Sequence, residues 1–186
     1  MNYNQLKHLI KSDYEVRYEQ KLSRLNFVRY IILDLNFRVT SLIRCQHYFF
    51  SKNSVGKLIS IFIRNNNIKK YGVEVGNKAL IGTGFQIHHV TGIVIGDGVK
   101  IGRNLNIYQN VTIGSSKNKY PIIKNNVTIY PSAVVIGDIL IDDNVSIGPQ
   151  TLIRKSLETN ETVYLNQNNM VRILKRHECN KQNSTK

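Results

Sequence analysis

The chain has 186 residues, 41% of them hydrophobic, and a net charge of +14 from 26 Lys/Arg against 12 Asp/Glu. That is length enough for one domain with a buried core and an appendage, and no apolar run nears the roughly eighteen residues that a membrane-spanning helix needs. Two cysteines, Cys45 and Cys179, make neither a disulfide framework nor a metal quartet; with no apolar secretory stretch at the N-terminus, a cytoplasmic protein is expected.

Residues 1–72 carry 13 Lys/Arg against 4 Asp/Glu, residues 73–153 carry 6 against 5, and residues 154–186 carry 7 against 3. The middle is nearly neutral and the flanks are basic. Basic flanks attract an anionic polymer, a nucleotide-bearing cofactor or an anionic membrane surface, or are simply a solvated face. The first flank reads as an α-helical region, 1–72. Leu35, Val39, Leu42, Ile43 and Phe49 have helical spacing, as do Val55, Leu58, Ile59 and Phe62. Asn53 and Ser54 offer a cap before the second of these helices. The stretch RNNNIKKYG, 64–72, reads as a stop and linker.

From 73 to 153 apolar residues recur every six. One run is Val75, Ile81, Ile87, Ile93; a second, shifted by two, is Ile95, Ile101, Ile107, Ile113; a third is Ile123, Ile129, Val135, Ile141, Ile147, Ile153. A helix shows spacings of three and four, and a simple sheet shows period two. A six-residue repeat of a β-branched residue, a small residue and polar residues is the signature of a parallel β-helix, with three flat sides to a coil. The expected fold is therefore mainly β, a β-helix over 73–153. The Gly that follows many of the Ile residues is expected to turn the corners. The phase breaks twice, between Ile93 and Ile95 and again at the loop SSKNKYP, 115–121. Loops that leave a rigid scaffold are where function concentrates. After Ile153 the pattern ends, and the extension 154–186 is expected to be partly helical and then frayed.

Two stretches carry a family resemblance: IHHVTGIVIG (87–96) and NIYQNVTIG (106–114), followed by a loop ending in Pro121. They resemble the serine acetyltransferase branch of the hexapeptide-repeat acyltransferases. A weaker likeness runs over LDLNFRVTSLIRCQHYFF (33–50). The resemblance implies a left-handed coil, a homotrimer with its active site between subunits, and acetyl-CoA as donor. It places the catalytic base on His89, its carboxylate partner on Glu74, and the pantetheine-binding edge on Gly114 and Ser115. The family's Asp before the base is His88 here, and its Arg-His pair before the loop's Pro is Lys119-Tyr120. The loop and the helical region are also short. These departures resemble the short enzymes of polysaccharide gene clusters. The expected function is thus O-acetylation of a sugar hydroxyl of a surface polysaccharide or its precursor, with the positive charge favouring an anionic acceptor. The alternative is a serine O-acetyltransferase of cysteine biosynthesis.

The chemistry suits these residues. An imidazole with a pKa near 6.5 takes the hydroxyl proton in the transition state, and a carboxylate on its other nitrogen fixes the tautomer. A backbone N–H would serve the oxyanion. Neither Cys lies near the repeat site, so direct transfer is expected. His88 is either a surface histidine or a substrate contact. Lys119 and Tyr120 reach the acceptor or donor, or belong to a plain polar loop. Asp13 and Asp34 are candidates to reach the acceptor, and Arg154 and Lys155 to meet the cofactor's phosphates. A metal site is not expected, since the repeat holds only His88 and His89 where a β-helical zinc enzyme needs three ligands. A scaffold or nucleic-acid binder is the competing class, but the repeat is neutral and carries no reading motif.

Overall fold

Side chains repeating every six residues meet on a common axis, and the chain coils to let them. The computed structural model describes residues 1–165 and 171–175. Four helices come first: α1 (Tyr3–Tyr18), α2 (Arg24–Leu33), α3 (Leu35–Phe50) and α4 (Ser54–Tyr71). The first turn of the coil is β1 (Val73–Val75), β2 (Leu80–Ile81) and β3 (Gln86–Ile87); the second is β4 (Ile93–Ile95), β5 (Lys100–Ile101) and β6 (Asn106–Ile107). The third is β7 (Thr112–Gly114), β8 (Ile122–Ile123) and β9 (Thr128–Ile129); the fourth is β10 (Val134–Ile136), β11 (Leu140–Ile141) and β12 (Ser146–Ile147). A fifth turn holds β13 (Leu152–Ile153), a lone bridge from Leu157 to Ile141, and β14 (Glu161–Leu165), on which β15 (Val171–Lys175) folds back. Each strand pairs in parallel with its counterpart one turn on, except β15, which is antiparallel to β14. Stacked positions such as Ile87, Ile107, Ile129, Ile147 and Val163 are fully buried, and each is worth about 2 kcal/mol of burial.

Three expectations need correction. The coil runs past 153 to 165, because Leu157 and Val163 keep the inward positions after a slip of two residues. Residues 171–175 of the extension are strand, not helix; residues 166–170 and 176–186, with Cys179, lie outside the described residues. The stretch 64–72 is no linker: α4 continues to Tyr71 and ends on Gly72 with φ 63°. Asn53 does cap α4, accepting from the Gly56 N–H at 3.0 Å.

The corners are also turned differently from the expectation. Left-handed backbone falls on Asn104, Asn126, Asn144 and Asn160, with φ between 57° and 66°, since Asn tolerates that region better than other side-chain-bearing residues. Their amides stack into a ladder at 2.9, 3.0 and 3.0 Å. The glycines after the Ile residues serve close approach instead. A Cβ on Gly82 would lie 2.5 Å from the Gly102 carbonyl oxygen of the next turn.

The first turn has no strand before it. Elsewhere the carbonyls of Ile95, Ile101 and Ile107 accept from Gly76, Gly82 and His88 one turn earlier, at 2.8–2.9 Å. Their first-turn counterparts, Val75, Ile81 and Ile87, accept side chains of the helices. Gln46 Nε2 donates to Val75 at 2.8 Å, Arg44 Nη1 to Ile81 at 2.6 Å, and Arg17 Nη1 to Ile87 at 2.9 Å. Arg44 is 1% exposed and also grips both Asp13 carboxylate oxygens at 2.8 and 3.0 Å. Removing one partner of such a pair leaves a buried, uncompensated charge. Arg44→Met should therefore cost about 3–5 kcal/mol in urea denaturation, and a loss under about 1 kcal/mol would mean that the joint is not structural.

Candidate active site

The lengthened corner of the coil carries both histidines. Val73 stacks on Ile93, twenty residues on, where Ile95 to Ile113 takes eighteen. The two extra residues fall in 88–92, between β3 and β4, and bulge outward. Thr91 and Gly92 there have φ 137° and 67°. The His88 N–H donates to the Ile107 carbonyl at 2.9 Å, so this residue still follows the rung. Its ring stacks on Tyr108 at 4.4 Å and 12°, and Tyr108 stacks on Tyr130 at 5.2 Å and 21°. Nε2 lies 2.9 Å from Asn106 Oδ1 and is the donor to that oxygen. The neighbouring His89 has left the rung. Its ring is exposed and tilted at 52° to Tyr108, 6.1 Å away. Of the two, His89 is the one open to exchange a proton with a bound molecule.

Helices hold this corner from outside. Asn36 Oδ1, near the start of α3, accepts from the Val90 N–H at 3.0 Å. Arg17, on the Ile87 carbonyl, is aimed by Asp34 Oδ2 at 2.8 Å, and the same oxygen accepts the Tyr18 hydroxyl at 2.5 Å. Asp34 Oδ1 caps α3 by accepting from the Asn36 and Phe37 N–H groups. Burial alone would raise the Asp34 pKa, but the Tyr18 hydroxyl, the Phe37 N–H and Arg17 outweigh it and hold the carboxyl below its ordinary value. Asp34, expected to reach the acceptor, has both its oxygens occupied within the protein, where they hold Arg17, Tyr18 and the start of α3.

Asp13 and Glu74 are placed otherwise than expected. Asp13 is 1% exposed, with Arg44 and the Phe85 N–H on its oxygens, so it fastens the helices to the coil and does not reach an acceptor. Glu74 ion-pairs with Arg64 of α4. Among the described residues no ion pair or hydrogen bond joins it to His89, so the expected carboxylate partner is engaged elsewhere.

The remaining candidates lie on a different corner, after β7, β10 and β13. Gly114 stacks on Ile136, and the register places Arg154 in the same column one turn further. Ser115, Arg154 and Lys155 are exposed there. The loop 115–121 is a tight hairpin. Ser116 and Lys119 exchange both backbone hydrogen bonds at 3.0 Å around Lys117 and Asn118 at φ 52° and 62°. Lys119 pairs with Asp138, and the Tyr120 ring lies over Gly96 and Gly98. Neither side chain is near His89 within one chain.

Sequence reasoning passed over several residues here. Tyr108 and Tyr130 were legible, since each follows its inward Ile as His88 follows Ile87. Arg17 and Asn36 had no local signal. His47 lies three residues after Arg44 on one helix face, in the weakly family-like stretch. It lines a cavity of about 920 Å3 with His8, Phe50, Lys78 and Leu80. Its Nε2 donates to the Gly76 carbonyl at 3.0 Å.

The comparisons with known proteins bear on the coil first. Residues 120–155 match the family described as bacterial transferase hexapeptide (six repeats). That match takes in the hexapeptide repeats from the third to the fifth turn of the coil. It is 30% identical over 132 residues to a serine acetyltransferase of Buchnera aphidicola, covering 68% of this chain and 47% of that protein. The chain thus spans about half the length of the curated relatives it matches. It superposes on serine acetyltransferase isoform 3 of Entamoeba histolytica, solved with cysteine, with a TM-score of 0.72 at 26% identity over 88% of this chain and 59% of the other. A serine acetyltransferase solved with CoA shares the fold, with a TM-score of 0.74 at 22% identity over 92% of this chain and 71% of that one. These relatives overturn the expectation of a sugar or polysaccharide acceptor and favour its alternative. The physical reason is at Lys119 and Tyr120. Their departure from the family pattern suggested a different acceptor, but here one is tied to Asp138 and the other packs on glycines. Among the described residues no helix is long and apolar enough to cross a membrane.

Burial pushes the His47 imidazole down to about 4, with the Arg44 charge adding and the Gly76 carbonyl and Asp97 opposing. The fold therefore favours neutral His47, and its stabilisation is present above the ordinary value near 6.5 and is lost as pH falls toward 4. His47→Gln should flatten the fall in stability between about pH 6.5 and 4, by on the order of 2 kcal/mol after discounting for the ring's partial exposure. Denaturation curves of both proteins across that range check this. Parallel curves would show that another group titrates.

Proposed function

We propose that the chain is an acetyl-CoA-dependent serine O-acetyltransferase with His89 as general base. The observation that carries the reading is the bulged corner that holds His89 outside the coil beside Tyr108. The imidazole takes the proton of the serine hydroxyl as its oxygen attacks the thioester carbonyl carbon. The tetrahedral intermediate collapses, the carbon–sulfur bond breaks, and the imidazolium returns the proton to the departing thiolate. This is direct transfer, and no acyl-enzyme is needed. A relative named for serine acetylation and a fold neighbour solved with CoA support acceptor and donor. O-acetylserine as product would place the enzyme in cysteine synthesis.

The donor edge fits an anionic cofactor. Gly114 leaves the surface open at mid-coil, and exposed Arg154 and Lys155 stand on the same corner to meet phosphates. That edge and the His89 corner are separate on one chain. A homotrimer of parallel coils would bring one chain's corner to its neighbour's edge. The apolar stripe Val55, Leu58, Ile59 and Phe62, 38–74% exposed along α4, supports such burial between subunits.

Steady-state CoA release from acetyl-CoA with L-serine tests the reading. His89→Ala should lower kcat by about 10²-fold or more with the circular dichroism spectrum unchanged. Turnover that survives this substitution would remove His89 from the chemistry, and no release with serine would overturn the acceptor.

A further inference from the structure

We infer that Asn36 and Arg17 are positioning residues that set where His89 stands. The inference rests on the role proposed for His89. Corner 88–92 has two residues more than the rung can hold, so the ladder cannot fix it. His88 is the last residue on the ladder before the bulge, through Ile107, and the coil takes hold again at the Thr91 carbonyl, which accepts from the Asn110 N–H of the next turn at 2.9 Å. Between those two bonds, at His89 and Val90, the backbone is held by a group outside the coil, and a second such group grips the rung just before it.

These two groups flank His89 on both sides. Arg17 Nη1 donates to the Ile87 carbonyl, two residues before it, at 2.9 Å. Asn36 Oδ1 accepts from the Val90 N–H, the residue after it, at 3.0 Å. Both holders are themselves fixed by one carboxylate. Asp34 Oδ2 takes Arg17 Nε at 2.8 Å, and Asp34 Oδ1 takes the Asn36 N–H at 2.8 Å. Gly72, ending α4, closes the third side, where a Cβ would lie 3.2 Å from the Gly92 nitrogen. Strained Thr91, a β-branched residue at φ 137°, persists because its surroundings over-determine it. A base must stand within hydrogen-bond reach of the proton it takes, and a shift of about 1 Å costs up to a hundredfold in rate. The helices thus do more than cover the end of the coil: Asp34 sets one clamp with two jaws, and of the two residues between them, His88 is on the ladder and His89 is not.

The test uses the whole chain and the pair Asn36→Leu and Asn36→Asp. Leu removes the acceptor at similar volume; Asp keeps one. Asn36→Leu should lower kcat with serine about ten- to a hundredfold while the KM for acetyl-CoA stays within about twofold. Exchange of the Val90 amide, followed by NMR, should speed by about tenfold or more as its hydrogen bond is lost. Asn36→Asp should restore both. Unchanged kcat and Val90 exchange in Asn36→Leu would overturn the inference. So would a loss of kcat that Asn36→Asp fails to restore, or one matched by an equal rise in acetyl-CoA KM. If the wild-type chain releases no CoA, the proposed function fails, while Val90 exchange in the two variants still decides whether Asn36 holds the corner.

Discussion

A parallel solenoid has an open end, and the first turn of this one must satisfy carbonyls that no strand precedes. Val75, Ile81 and Ile87 are among them, one on each wall, six residues apart. Gln46, Arg44 and Arg17 supply the donors. An unpaired buried carbonyl costs on the order of 1–3 kcal/mol, so the helical region and the coil are one folding problem. That explains an Arg with almost no exposure in the heart of a small protein. Arg44 serves two carbonyls of the second wall, at Ile81 and Gly82, and its charge is balanced by Asp13.

The second constraint is perimeter. A rung of three sixes closes on eighteen residues, and anything more must leave the coil. Two residues leave at 88–92 and four leave in the loop 115–121. The first departure puts His89 outside; the second builds a hairpin whose Tyr120 lies back on the glycines of the turn before. Rigidity and irregularity are coupled, because the better the stack, the more sharply any excess is expelled. Chemistry that needs a group outside the scaffold, but firmly held, uses such an expelled segment.

Legibility followed the range of the interactions. Ile113 and its equivalents were readable because each repeats a neighbour six residues away. The bulge at 88–92 showed as a phase slip, although the slip appeared at Ile93 and Ile95, where the pattern resumes, rather than where the residues are spent. Asn104, Asn126, Asn144 and Asn160 were not singled out, since an Asn in left-handed backbone looks like any polar residue until the turns are stacked. Arg17 and Ile87 are seventy residues apart, and nothing local joins them. Lys119 and Tyr120 mislead because a change from a family pattern resembles a change of acceptor, while these side chains engage Asp138 and the glycines of the turn before. Glu74 sat at the expected spacing, yet a basic residue on α4 reached it first.

The far end of the coil behaves differently. β14 stacks in parallel on β12, but β15 runs antiparallel along it. A parallel rung offers the next chain the same surface it received, and a stack of such rungs could grow into a fibre by adding molecules end to end. An antiparallel strand breaks that translational repeat on one wall. At the other end the helices leave no bare rung to receive it. Growth by end-to-end addition is thereby disfavoured, on that wall by the reversed strand and at the first turn by the helices.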